Sequence, residues 1–153
     1  MAGAYLASCS FYLSCSHAND LPIYEISGLS VECPPASGNK VLGSKSAGKR
    51  ERLNVPTSEK YNNVTIKLAA SADTSLFDWY RSCNNNDGGG SNVLANKDQV
   101  GIVAMDADDK EVAEWVLKEA YPIKYEGPSF KAADEELANE TIELCHLGIE
   151  RVR

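Results

Sequence analysis

The sequence predicts a mainly β domain: an antiparallel sandwich or barrel of about seven or eight strands with one short helix. Three observations carry this. Short runs rich in Val, Ile, Leu and Tyr alternate apolar with polar residues, most clearly at Tyr5–Leu13 and Tyr61–Leu68. Clusters of Gly, Pro, Asn, Asp and Ser separate such runs along the chain. Only one stretch, Asp73–Cys83, changes to a helical period.

In the first strand Tyr5, Ala7, Cys9, Phe11 and Leu13 share one side, with Ser8 and Ser10 on the other. Leu6 and Tyr12 fit that alternation less neatly. Ser14–Asp20 is polar and turn-like. Pro22 precedes a second strand, Ile23–Val31, interrupted by Ser27-Gly28, where a bulge or a close backbone approach is expected. Pro34–Arg50 is rich in Gly, Ser, Pro, Lys and Ala and has few bulky apolar residues, which predicts an exposed loop or arm. Lys40, Lys45, Lys49 and Arg50 make it basic, with no acid from Pro34 to Arg50, so contact with an acidic neighbour is expected.

Val64, Ile66 and Leu68 oppose Asn63, Thr65 and Lys67 in the next strand. Leu76, Trp79, Tyr80 and Cys83 then fall at i, i+3, i+4 and i+7, one apolar helical stripe, with Asp73 or Thr74 as N-cap. Asn84–Asn92 reads NNNDGGGSN and predicts a loop. Gln99–Met105 is a β-type run, followed by the turn composition Asp106-Ala107-Asp108-Asp109.

Val112–Lys118 admits two periods. As a strand, Ala113, Trp115 and Leu117 point one way and Glu114, Val116 and Lys118 the other. As a helix, Val112, Trp115, Val116 and Glu119 form a stripe, with Glu114 and Lys118 a favourable pair. The flanks favour the strand: an acidic turn before it, and Pro122 and Gly127-Pro128 as breaks after it. Phe130–Asn139 is an acidic connection, either a helical turn or a loop, and Thr141–Leu147 is the closing strand.

The chain has 153 residues, 43% apolar and 24% charged, as expected of a single domain over 1–153 with its own core. The formal net charge of −7 argues against a nucleic-acid binder, which needs a basic face. No basic residue precedes an apolar core in Met1–Leu6, and no apolar run approaches the ~18 residues of a membrane span. No membrane insertion is therefore expected. Five cysteines, an odd count, are expected to be reduced thiols in a protein made in the cytoplasm.

Chemistry-bearing patterns are sparse, and no cofactor, metal or catalytic set is expected. Gly43-Ser-Lys-Ser-Ala-Gly48-Lys49 matches a phosphate loop, but Arg50 stands where Ser or Thr must hold magnesium, and Pro56 interrupts the helix that should follow. Asp106, Asp108 and Asp109 lack the Gly and Glu of a calcium loop. Cys9, Cys15 and Cys33 lack metal-ligand spacing, and His17 sits on a polar turn. Cys145 and His146 are adjacent, so a strand would point them to opposite faces. Most of the cysteines are expected to be buried fillers. Glu140 and Glu143 would also lie on opposite faces, solvated or in subunit salt bridges.

Gln99–Phe130, followed by NETIELCHLGIERV, resembles the C-terminal half of the tail tube proteins of contractile-tailed phages and phage-tail-like injection systems. The residues that carry the resemblance are Tyr121, Pro122, Lys124, Tyr125, Glu126, Gly127 and Pro128, then Glu140, Glu143, Leu144, His146 and Gly148. Trp115 before them and Asp78, Trp79 and Tyr80 at the end of the helix also match. The resemblance implies a structural subunit without catalysis, six copies in a ring, and rings stacked into a tube. It implies sheath, baseplate or spike and terminator proteins as partners, and effector cargo or DNA in the lumen. It implies that the particle is a virion tail or an injection system. It further implies that the basic arm reaches the adjacent ring and that sheet edges pair across subunits. Six copies would carry a formal charge of roughly −42.

Two alternatives remain at this point. One is a small β-fold enzyme or ligand-binding module using Cys145 and His146. The other is a secretion-system tube protein of the haemolysin-coregulated type, although the Tyr121–Pro128 segment resembles the phage-tail branch more.

Overall fold

A computed structural model of the chain describes residues 10–36, 55–84, 92–132 and 137–153. Its strands are β1 (Ser10–Ser14), β2 (Leu21–Ser27), β3 (Val31–Glu32), β4 (Pro35–Ala36), β5 (Val55–Pro56), β6 (Lys60–Tyr61), β7 (Val64–Ala69), β8 (Asp98–Met105), β9 (Glu111–Glu126), β10 (Asn139–Cys145) and β11 (Gly148–Arg151). The helices are α1 (Ser75–Cys83) and α2 (Val93–Asn96). Residues 37–54, with Lys40, Lys45, Lys49, Arg50 and the phosphate-loop-like motif, lie outside the described residues. So do residues 1–9, most of the NNNDGGGSN loop and 133–136.

The principal sheet runs β10-β7-β2-β1-β8-β9-β11, and β9 pairs back onto β10. Six strands therefore close into a barrel, with β11 a seventh strand laid on β9. Every pairing is antiparallel. Closure corrects one expectation. The six-strand barrel closes its ladder within one chain, so closing it needs no neighbour; in this sheet β11 keeps one edge unpaired among the described residues.

The barrel interior follows the alternation read from sequence. Leu13, Val64, Ile66, Leu68, Val100, Ile102, Leu117, Ile142 and Leu144 are all buried. α1 packs against β9, and its Leu76, Trp79 and Cys83 enter the same cluster while Tyr80 stays half-buried. The Asp73 carboxylate accepts the Ser75 N–H at 3.0 Å, and the Thr74 hydroxyl donates to Asp78 instead of capping.

β9 is the longest strand, and the competing helical reading fails over it. It is bulged three times, first opposite Ala104/Met105. Leu117 lies opposite Val100 and Ala120 opposite Asp98, so β9 holds one extra residue there, and Glu119 takes φ +49°. Pro122 lies opposite Leu144 and Lys124 opposite Glu143, which leaves Ile123 as another extra residue. Each of these two bulges switches which alternate residues point inward: Ala113 and Leu117 first, then Ala120 and Pro122, then Tyr125 opposite buried Ile142. Pro122 therefore does not break the strand as expected; it sits within it beside a bulge, where a missing N–H is tolerated.

The closing strand has the expected length but begins and ends two residues earlier, at Asn139–Cys145. β10 ends at Cys145, and His146-Leu147 turn the chain into β11. The acidic tetrad is a hairpin turn: Asp109 has φ +56°, and Asp106 Oδ1 accepts the N–H groups of Asp108 at 2.7 Å and Lys110 at 3.2 Å. Asp106→Ala should remove both side-chain bonds and cost about 1–2 kcal/mol, measured by urea denaturation.

Candidate functional site

The Tyr121–Pro128 segment occupies the second half of β9, opposite β10. Glu143 faces Lys124, Ile142 faces Tyr125 and Cys145 faces Tyr121. Lys124 Nζ lies 2.7 Å from Glu126 Oε1, and this hydrogen bond and charge raise the Lys124 pKa. Glu143 Oε1 accepts from Asn63 Nδ2 at 3.0 Å. Glu25 and Lys67 pair at 2.9 Å on the neighbouring strands. This side of the barrel is a surface of paired charges.

Tyr125 points to the helix end. Its ring meets Phe77 edge-on at 5.2 Å and Tyr80 at 6.4 Å, and burial raises its phenol pKa, with Glu140 adding to the shift. Pro122 is fully buried, and its carbonyl accepts Asn84 Nδ2 at 2.9 Å. Gly127 and Pro128 follow the end of the strand. Trp115 is half-buried opposite Ile102, with the Arg151 guanidinium 5.5 Å from its ring centre. Trp79 donates from Nε1 to the Asn96 carbonyl at 2.9 Å, and His17 stacks on it at 5.3 Å. The turn-like His17 is thus a lid over the core tryptophan. α2, which supplies Asn96, has no clear apolar period and was not legible in sequence.

His146 is the one buried polar residue among those described. Its Nδ1 lies 3.1 Å from the Gly148 carbonyl and its Nε2 3.0 Å from the Asn62 carbonyl. The ring ties the β10–β11 turn to the β6–β7 turn. With carbonyl oxygens at both nitrogens, it offers no base to a thiol. Cys145 instead makes its side-chain hydrogen bond with Tyr121, raising the Tyr121 phenol pKa. The Cys145–His146 pair is therefore not a nucleophile–base couple.

Among the described cysteines Cys15 and Cys83 are buried, and burial raises both thiol pKa values. Cys33 is exposed and Cys145 half-buried, so fewer cysteines are fillers than expected. No group of three or more His, Cys, Asp or Glu placed to hold a metal occurs among the described residues.

One surface went unnoticed in sequence. The outer face of β1, β8 and β9 holds a groove of about 370 Å³. Tyr12, Ser14, Gln99, Gly101, Val103 and Met105 line it, with Asp20, Glu111, Glu114 and Val116. Its only sequence signal is the outward alternation Gln99, Gly101, Val103, Met105. Glu111 pairs with Arg153 at 2.8 Å, while Asp20 and Glu114 side chains take no ion pair or hydrogen bond from any described residue.

Solved structures share this architecture. A chain of the sheath-tube complex of the PVC extracellular contractile injection system, in its extended state, aligns with a TM-score of 0.74 at 19% identity, over 96% of this chain and 90% of that one. A chain of the PVC sheath/tube terminator structure gives 0.75 at 19% identity, over 100% of both. Hcp1 from Flavobacterium johnsoniae gives 0.62 at 15% identity, over 94% of each. No curated protein matches the sequence. The family model described as T4-like virus tail tube protein gp19 matches residues 7–150, nearly the whole chain. The chain belongs to the T4-like virus tail tube protein gp19 family, as a structural tube subunit.

Proposed function

We propose that six copies of this protein form a ring and that the rings stack into the inner tube of a contractile phage tail or injection particle. The family match across residues 7–150 carries this reading. Chains of sheath-tube, terminator and baseplate structures share the fold, which supports sheath, terminator and baseplate or spike proteins as partners. The subunit is made in the cytoplasm, inserts into no membrane and catalyses nothing; effector cargo or DNA passes along the lumen.

In this reading Trp79, Trp115, Tyr121, Pro122, Tyr125, Gly127 and Pro128 hold the barrel and its helix in shape. Lys124, Glu126, Glu143 and His146 fix the sheet surface and the turns that neighbours meet. Lys40, Lys45, Lys49 and Arg50 reach an acidic surface of the adjacent ring. Negative-stain microscopy of the purified protein, alone and with baseplate partners, is expected to give rings or tubes. Monomers alone under every condition would overturn the proposal.

A further inference from the structure

We propose that His146 is a proton-operated fastener. With a proton on each ring nitrogen it bolts the β10–β11 turn to the β6–β7 turn, and losing one of them loosens the β3–β6 ribbon rooted there.

The partners of the ring are the first reason. His146 is 5% exposed, which leaves little room for water at its nitrogens. Nδ1 faces the Gly148 carbonyl at 3.1 Å and Nε2 the Asn62 carbonyl at 3.0 Å. A carbonyl oxygen only accepts. A neutral imidazole has one N–H, so in either tautomer it serves one carbonyl and sets a lone pair against the other. An imidazolium donates to both. Burial opposes the charge, but a buried cation whose donors all meet carbonyl oxygens is the form that burial tolerates. Tyr61 adds to this: its ring centre lies 5.6 Å from that of His146, within the range at which an aromatic ring favours a cation.

The charged groups on the surrounding elements are engaged elsewhere. On β6 the Tyr61 hydroxyl donates to Glu59, and Lys60 lies opposite Glu32 of β3. On β10 Glu143 accepts from the Asn63 side-chain amide, and Cys145 is bonded to Tyr121. Lys118 of β9 pairs with Glu150 of β11 at 2.8 Å. None of these carboxylates bonds to the ring, so its charge answers to the two carbonyls.

What the fastener holds is the second reason. β3 and β6 carry the chain on from β2 and β7 as a separate two-stranded ribbon, with Val31 opposite Tyr61 and Glu32 opposite Lys60. Val31 and Glu32 are exposed, and a ribbon so short is not stable by itself. Its stance therefore depends on its root. There Asn62 Nδ2 donates to Ser30 Oγ at 2.7 Å and Asn63 Nδ2 to Glu143, and both bonds are exposed. The His146–Asn62 contact is partly buried, where a hydrogen bond gained or lost counts for more.

Nitrogen NMR of the full chain with labelled histidine tests this, on free subunits or on assembled tubes. The chain has two histidines, and the His146 signals are those that vanish in His146→Gln. From about pH 5 to about pH 8, the window in which histidine side chains change charge, the ring is expected to go from two protonated nitrogens to one. The amides of Asn63 and Ile149, which follow the two carbonyls, should shift with it. Amide order parameters in the ribbon should fall from about 0.85 at the acid end to about 0.6 at the alkaline end. In His146→Gln, whose side chain cannot ionise, they should be low throughout and independent of pH. If that variant does not fold, His17→Gln assigns the other histidine and the parent spectra decide. A ring that carries one proton across the window, or keeps both, would overturn the proposal. So would a ring that titrates while Asn63, Ile149 and the ribbon stay unmoved.

Discussion

Replacing Trp79 by Ala is expected to cost about 3–5 kcal/mol of folding stability, the range for truncating a large buried aromatic. Trp79 is 1% exposed and belongs to the cluster that fills the barrel. It is the largest side chain that α1 sends into that cluster. Truncation opens a cavity beneath His17, which stacks on the indole at an interplanar angle of 12°. It also takes the indole donor from the Asn96 carbonyl, leaving only a weak contact from the Cys83 thiol at 3.8 Å. Urea denaturation checks the value, provided the slope is unchanged so that the midpoint reports stability. Trp79→Phe keeps a ring under His17 and loses only the hydrogen bond and some volume, so its cost should be about 1–3 kcal/mol. An Ala variant as stable as the parent would mean that Trp79 does not anchor α1 to the core.

Gly28→Ala is the second large effect. Gly28 has φ +89°, and an added Cβ would lie 2.2 Å from the Asn63 carbonyl oxygen, 3.2 Å from its carbon and 3.3 Å from Val64 Cα. These are backbone atoms at the entry to β7, so no side-chain rotation relieves the clash. The left-handed conformation alone costs a non-glycine residue about 1–2 kcal/mol. Moving β7 adds to that, and a fall in Tm of about 5–10 °C is expected. Gly28→Asn separates the two causes. Asn tolerates the conformation but still carries a Cβ, so it should fall nearly as far as Ala. Full rescue by Asn would show that conformation, not the close approach of Asn63, sets the requirement.

The glycine was legible in sequence as a close approach or a bulge within a strand; its partner, 35 residues on, was not. The same division runs through the candidate site. Lys124, Tyr125 and Glu126 could be placed in one segment from sequence, but not the pairing of Lys124 opposite Glu143, which depends on the register of β10. Adjacency on a strand argued in sequence against His146 as a base for Cys145, but it did not say where the imidazole goes. Folding points the imidazole at two carbonyls. The Asp20–Glu111–Glu114 groove gathers residues from three parts of the chain, and no local pattern could reveal it.

Alternation in Val64–Leu68 and the helical stripe through Leu76, Trp79 and Cys83 determined the strand, the helix and most of the core from sequence alone, because each is a local periodicity set by which side must leave water. The ordered residues from Trp115 to Gly148 likewise sufficed to indicate the family. Barrel closure, the three bulges in β9 and the grooved outer face were decided by tertiary structure alone. Each depends on how far one strand slides against another, and a one-residue shift in β9 turns Ala120 inward where the earlier alternation would have put Glu119. Register of that kind is an energy shared between distant segments, and neither segment carries it separately.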